Sequence, residues 1–216
     1  MKKIKTLFVI DRNTDLATDV ITEGAEWVVR GEGKATIKFD GSSTFFKDNI
    51  LYKRYDRKLK SKFVKIARKT GKDFIPEDYM FNTLPENAIP CEEKPAPFSL
   101  HFPHWVPVTD GPEDKFHKEA LDNSIELEDN ATYELVGPKV NGNPYKLERH
   151  ELWKHGSIEY EVKDFSFEGL KKTLENMTEE EGLVFHHKNG EMIKLRRKDF
   201  GFDVFGKYDM RNKPNK

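Results

Sequence analysis

Residues 181–197 read EGLVFHHKNGEMIKLRR and hold the clearest hairpin in the chain. Residues 182–187 and 192–197 are two strand-like runs that pair across Lys188-Asn189-Gly190, and Asn-Gly is a strong tight-turn signal. Residues two apart on a strand share a face. Lys194 and Arg196 therefore point the same way and offer two cations to one anion, while the apolar residue between them faces the other side. Glu181 stands at the start of the first strand. Cations beside carboxylates suit a phosphate together with a divalent metal. A salt-bridge ladder across an exposed hairpin uses the same residues, and the hairpin alone leaves both readings open.

Working outward, strand signals recur. Residues 35–39 (ATIKF) read as a strand ending at Asp40-Gly41. Residues 43–47 and 50–55 form a second hairpin around Lys47-Asp48-Asn49. Residues 4–10 read as a first strand, and residues 131–136 (ATYELV) as another, closed by Gly137-Pro138. Helical signals are fewer. Residues 61–69 (SKFVKIARK) give a basic helix of a turn or two, stopped by Gly71. Pro112 followed by EDKFHKEAL reads as a helix opening with acids in its first turn. Ser166 begins a helix carrying Phe167, Leu170, Leu174 and Met177 on one face. Residues 83–112 hold seven of the eleven prolines and read as an irregular excursion. The expected fold is α+β: one domain over residues 1–210, mainly antiparallel with flanking helices, an irregular proline-rich insertion at 83–112, and a frayed tail, MRNKPNK.

Composition bounds the function. The 216 residues carry 37 basic and 38 acidic side chains, a net charge of −1. A protein that only coats nucleic acid is strongly basic, and this balance suits an enzyme with a local basic groove and acidic metal ligands elsewhere. The single cysteine, Cys91, excludes an internal disulfide framework and a cysteine-rich zinc site. No apolar run approaches the roughly 20 residues that cross a bilayer, and the N-terminus lacks the long apolar stretch of a secretory signal. A cytoplasmic location is expected.

The candidate nucleophile lies in Lys38-Phe39-Asp40-Gly41. A lysine at a strand's end, just before a tight turn, sits at the mouth of a sheet. Such a lysine must be neutral to attack, which burial and nearby cations favour. Glycine lets the chain turn away and leaves room for a bulky ligand. A solvated lysine before an Asp-Gly turn explains these four residues alone. The rest of the chain adds Glu134 in Tyr133-Glu134-Leu135-Val136-Gly137, again on a strand running into a turn, and the hairpin with Glu181, Lys194 and Arg196.

Together these strings resemble the covalent nucleotidyltransferases, the superfamily of ATP-dependent DNA ligases, RNA ligases and capping guanylyltransferases. Lys38-Phe39-Asp40-Gly41 resembles motif I, Tyr133-Glu134-Leu135-Val136-Gly137 motif III, Glu181-Gly182-Leu183-Val184 motif IV, and Lys194-Leu195-Arg196 motif V. Lys53-Arg54-Tyr55-Asp56-Arg57, Trp105-Val106-Pro107-Val108 and Val140-Asn141-Gly142-Asn143-Pro144-Tyr145 narrow the likeness to small single-domain RNA 5′-3′ ligases. The resemblance runs from about residue 25 to residue 200.

The resemblance implies an ATP-grasp-like adenylation domain that joins 5′-phosphate and 3′-hydroxyl RNA ends, with ATP and Mg²⁺ (or Mn²⁺), acting as a monomer. It makes Lys38 the residue that becomes lysyl-AMP. It assigns Ile37, Arg54, Glu134, Lys194 and Arg196 to the nucleotide, and Glu181 and Glu134 to the metal, Glu134 also meeting the ribose. Asp40 is expected to order its loop. Two departures stand out. Motif V ends in arginine where lysine is usual, which keeps the charge but changes its shape. The chain also lacks room for the oligonucleotide-binding barrel of DNA ligases and capping enzymes. The alternatives are a DNA ligase or other lysyl-AMP-forming enzyme, and an RNA-binding module without activity.

Other residues carry less. The seven histidines show no zinc-ligand spacing. Residues 58–69 could grip RNA phosphates or simply form a solvated helix face. Trp105 could stack on a base or anchor its segment, and Trp153 could stack on adenine or fill a core.

Overall fold

The computed structural model describes residues 3–97 and 99–202, without the side chain of Lys72. The tail expected to fray, residues 210–216, lies outside them. In chain order the strands are β1 (Lys5–Thr6), β2 (Phe8–Ile10), β3 (Ala17–Ile21), β4 (Lys34–Lys38), β5 (Ser42–Lys47), β6 (Ile50–Lys58), β7 (Ile89–Pro90), β8 (His101–Pro107), β9 (Ala131–Val136), β10 (Glu151–Lys154), β11 (Glu159–Tyr160), β12 (Gly182–His186) and β13 (Met192–Arg196). The helices are α1 (Glu26–Val29), α2 (Ser61–Thr70), α3 (Lys115–Asp122) and α4 (Phe167–Asn176). The fold is α+β with mainly antiparallel sheets and few helices, and the chain divides into two compact units.

The first unit, comprising Ile4–Gly41, Val136–Leu147 and the chain from Trp153 onward, is built on a sheet ordered β1-β13-β12-β4-β11. β1 and β13 pair in parallel, whereas β12 pairs antiparallel with both β13 and β4, and β11 antiparallel with β4. Alternation divides the sheet cleanly. Leu183, Phe185, Ile193 and Leu195 are buried with Leu170, Leu174 and Met177 of the α4 segment and Trp27 and Val28 of α1, and Ile37 packs against them. Burying each leucine fully contributes about 1.5–3 kcal/mol. The Ser166 hydroxyl caps α4 by accepting the Gly169 N–H at 3.1 Å. In the β12–β13 turn only Gly190 takes positive φ, at 87°, and its N–H donates to the His187 carbonyl. The expected strand over residues 4–10 is broken. At Leu7, fully buried, the chain passes from β1 in this sheet to β2, which pairs with β3 in a separate two-stranded ribbon.

The second unit, Ser42–Leu135 with Glu148–Leu152, contains most of a sheet ordered β10-β9-β5-β6-β8-β7. β5 and β6 pair up to Lys47 and Ile50, and Asp48 and Asn49 between them both adopt positive φ, as a two-residue hairpin requires. The proline-rich stretch corrects the expectation of irregularity: residues 101–107 form β8, antiparallel to β6 over seven residue pairs. The Leu59 N–H donates to the Leu100 carbonyl, and the Val108 N–H to the Leu51 carbonyl. Donors alternate sides along an antiparallel strand, so the even-numbered residues face β6. Pro103 and Pro107 therefore remove no hydrogen bond to β6, and the other flank carries only the two-residue β7.

Candidate active site

Strand pairing assembles a charged cluster on the face of the first unit's sheet opposite its core. Gly182 stands opposite Lys38 on one side and Arg196 on the other; Val184 stands opposite Thr36 and Lys194. Directly paired residues share a face, so Lys38, Lys194 and Arg196 emerge together. Strict alternation would turn Glu181 away from them. Gly182, at φ 154°, departs from strand geometry, and the Lys38 amine donates to the Glu181 carboxylate and, at 3.3 Å, to the Phe39 carbonyl. The pair is largely sheltered, with 23% and 14% of the two side chains exposed. Glu181 thus pairs not across the hairpin but with a lysine 143 residues earlier in the chain.

Burial pushes the Glu181 carboxyl up, against the pull of Lys38. Burial, then the cations of Arg196 and Lys38, push the Lys194 amine down to about 8. Arg196 is held by Asp199: Nη2 donates to Oδ1 at 2.7 Å, and Nε lies 3.1 Å from both carboxylate oxygens.

The motif I turn is held by residues to which the sequence assigned no role. The Asn141 side-chain amide donates to Asp40 Oδ1 at 2.7 Å and to the Gly41 carbonyl at 3.1 Å. The Tyr145 hydroxyl accepts the Asp40 N–H at 2.7 Å. Asp40 thus orders its loop, as expected. The signal was present in Val140-Asn141-Gly142-Asn143, where Asn141, Gly142 and Asn143 all adopt positive φ. Trp153 is in ring contact with Phe39 at 5.1 Å and Tyr145 at 4.6 Å, so it packs beneath the same turn. Ile37 presents its side chain to the core.

Glu134 and Arg54 belong to the second unit. Glu134 is buried on β9 opposite Ser43, whose hydroxyl donates to it at 3.3 Å. Continuing the β5–β6 register from Thr44 and Lys53 sets Ser43 opposite Arg54, which pairs with Trp105 on β8. Glu134 and Arg54 therefore share a face two strands apart, about 10 Å. The Arg54 guanidinium lies 5.9 Å from the centre of the Trp105 ring and pairs with Asp56 at 2.9 Å. Trp105 is buried, an anchor for β8. Among the described residues no three His, Cys, Asp or Glu side chains gather as a ready-made metal site, and no helix is long and apolar enough to cross a membrane.

The family model for RNA ligase 1 matches residues 121–214, the part carrying Glu134, Glu181, Lys194 and Arg196. RNA ligase 1 of Mus musculus is 29% identical, over 86% of this chain and 72% of the relative. The Pongo abelii protein of that name is also 29% identical, over 86% and 73%, and the Rattus norvegicus protein 28%, over the same shares. By these matches the chain is similar to the RNA ligase 1 proteins over most of its length.

Proposed function

We propose that this protein is an ATP-dependent RNA ligase that works through an adenylate on Lys38. The observation that carries the reading is the gathering of Lys38, Glu181, Lys194 and Arg196 at one end of one sheet, in a chain similar to the RNA ligase 1 proteins. In the first step the Lys38 amine attacks the α-phosphorus of ATP. An N–P bond forms, the bond to the β-phosphate oxygen breaks, and pyrophosphate leaves. Lys194 and Arg196 neutralise charge on the non-bridging oxygens. A phosphate oxygen at the RNA 5′ end then displaces the lysine, giving a 5′-5′ pyrophosphate. A 3′-hydroxyl attacks that end, forming the phosphodiester and expelling AMP.

The donor set fits a divalent ion, since Mg²⁺ is usually held by one or two carboxylates together with substrate phosphates and Glu181 stands beside the nucleophile. When bound, Mg²⁺ (or Mn²⁺) would offset phosphate charge and draw Glu181 away from the Lys38 amine. Arg54 is assigned by its motif to the nucleotide or the incoming 5′-phosphate, and Glu134 to the ribose and the metal. Ile37 would meet the nucleotide through its main chain. An ATP-grasp-like fold and a single catalytic domain over residues 1–210 belong to the same proposal.

The test incubates the protein with α-labelled ATP and Mg²⁺ and follows covalent label through denaturing electrophoresis. Label is expected on the wild-type chain and not on Lys38→Ala. Undiminished labelling of that variant would falsify the assignment of the nucleophile.

A further inference from the structure

Helix α2 uses only one side for packing. Ala67 is buried, and Phe63 and Val64 lie against the cluster of Leu59, Phe74, Phe81 and Phe102. At about 100° per residue, Lys62, Lys65, Ile66 and Lys69 form a stripe on the opposite side, and all four are exposed. The helix contains no acid to pair with them, and lysines three and four residues apart repel by a few tenths of a kcal/mol. A helix kept soluble for its own sake would intersperse glutamate. An exposed aromatic adjoins the stripe. Tyr79 is 58% exposed, and its ring meets Phe63 edge-on at 5.8 Å. The Lys62 ammonium lies 4.9 Å from the centre of that same Phe63 ring, and the Lys60 amine donates to the Tyr79 carbonyl at 2.7 Å. The neighbouring Asp78 carboxylate is already engaged by Arg57.

We propose that the Lys62–Lys65–Lys69 stripe of α2, together with Tyr79, docks single-stranded RNA. The lysines span about 10 Å along the helix axis, enough to follow several backbone phosphates, and the tyrosine ring stacks on an unpaired base. A row of cations beside an exposed ring is the combination that binds single strands with little regard to sequence. The inference rests on the RNA-ligase reading for its choice of partner, but not on the chemistry at Lys38.

The test compares wild type with a Lys62→Glu/Lys65→Glu/Lys69→Glu variant and with Tyr79→Ala, using anisotropy of a fluorescent single-stranded RNA at several salt concentrations. Every substituted residue is exposed, and the urea midpoint checks that folding is kept. The triple variant should bind at least tenfold more weakly at low salt. The slope of log affinity against log salt should flatten by about 2, from about 0.7 per lost phosphate contact. Tyr79→Ala should weaken binding about fivefold or more and leave the slope in place. ATP labelling should be unchanged in both. An unaltered affinity and slope in the triple variant overturns the docking surface. Absence of ATP labelling in the wild type overturns the ligase reading instead, and the RNA titration still decides the surface.

Discussion

Replacing Gly182 with alanine places a methyl group inside the backbone of a neighbouring strand. An added Cβ would stand 2.1 Å from the Leu195 carbonyl oxygen, 2.8 Å from the Arg196 Cα and 3.0 Å from the Leu195 carbonyl carbon. These are main-chain atoms of β13, so no flexible side chain can yield. The residue also sits at φ 154°, a conformation that costs a non-glycine residue about 1–3 kcal/mol. Overpacking adds about 1–3 kcal/mol, so Gly182→Ala should destabilise by about 2–6 kcal/mol. Gly190→Ala is the matched control: φ is 87°, yet nothing lies within 4 Å of its added Cβ. It bears the conformational cost alone. Urea unfolding of the two variants, compared at equal slope, measures the difference. Relief of the clash would move β13, and with it Lys194 and Arg196, so ATP labelling should fall with Gly182→Ala even where the protein remains folded, and persist with Gly190→Ala. Equal midpoints for the two variants would refute the claim that the β12–β13 contact at Gly182 is closed to a side chain.

Three other expectations follow from the cluster and the turn beside it. Lys194 loses its proton near pH 8 in the folded chain, so its positive charge is present at pH 7 and fades above 8. ATP affinity, measured by titration, should drop several-fold between about pH 7 and 9, and Lys194→Arg should flatten the drop; matching profiles would remove Lys194 from phosphate binding. The same depression makes unliganded stability rise from about 8 towards the unfolded value of 10.5, because the unfolded chain binds the extra proton in that window. Asn141→Ala removes two hydrogen bonds from the Asp40-Gly41 turn; the labelling rate should fall about tenfold with little change in KM for ATP, and a wild-type rate would show that the turn keeps its shape unaided.

The elements that could be read from sequence are those whose signals are local. β9 occupies residues 131–136 as expected, α4 begins after its Ser166 cap, and the 182–197 hairpin closes on Gly190. β8 was hidden because prolines count against a strand in any local window. What admits Pro103 and Pro107 is the side of the ladder their nitrogens face, and that depends on β6. The break at Leu7 was hidden for a related reason: the apolar run is continuous, but Leu7 donates its N–H to the Lys194 carbonyl while Phe8 pairs with Ile21. In the cluster, residue types were legible and partners were not. Alternation set Lys194 and Arg196 on one face, yet Glu181 found Lys38 through a glycine whose φ no spacing rule reveals. Asn141 and Tyr145 hold the Asp40-Gly41 turn across about 100 residues of chain, a distance at which a string can suggest a turn but not its destination.

The charges around Lys38 also bear on why the cluster exists. Lys38 is matched by Glu181, and Arg196 by Asp199. Lys194, half-buried on the same face as the two cations, has no ion-pair or hydrogen-bond partner for its amine among the described residues. Its lowered proton affinity measures the penalty of desolvation and like-charge repulsion. For folding alone a methionine would fill this position with neither cost. A bound phosphate would reverse each unfavourable contribution: it would add counter-charge to that of Glu181 and Asp199, relieve the repulsion between Lys194 and Arg196, and raise the proton affinity of the amine. Asp199 meanwhile holds the arginine in place, so that arginine is oriented in advance while lysine is left to respond to the ligand. A charge that weakens the empty fold and strengthens the liganded one is what an anion site on this strand would require, and the alternation of β13 sets it beside the amine of Lys38.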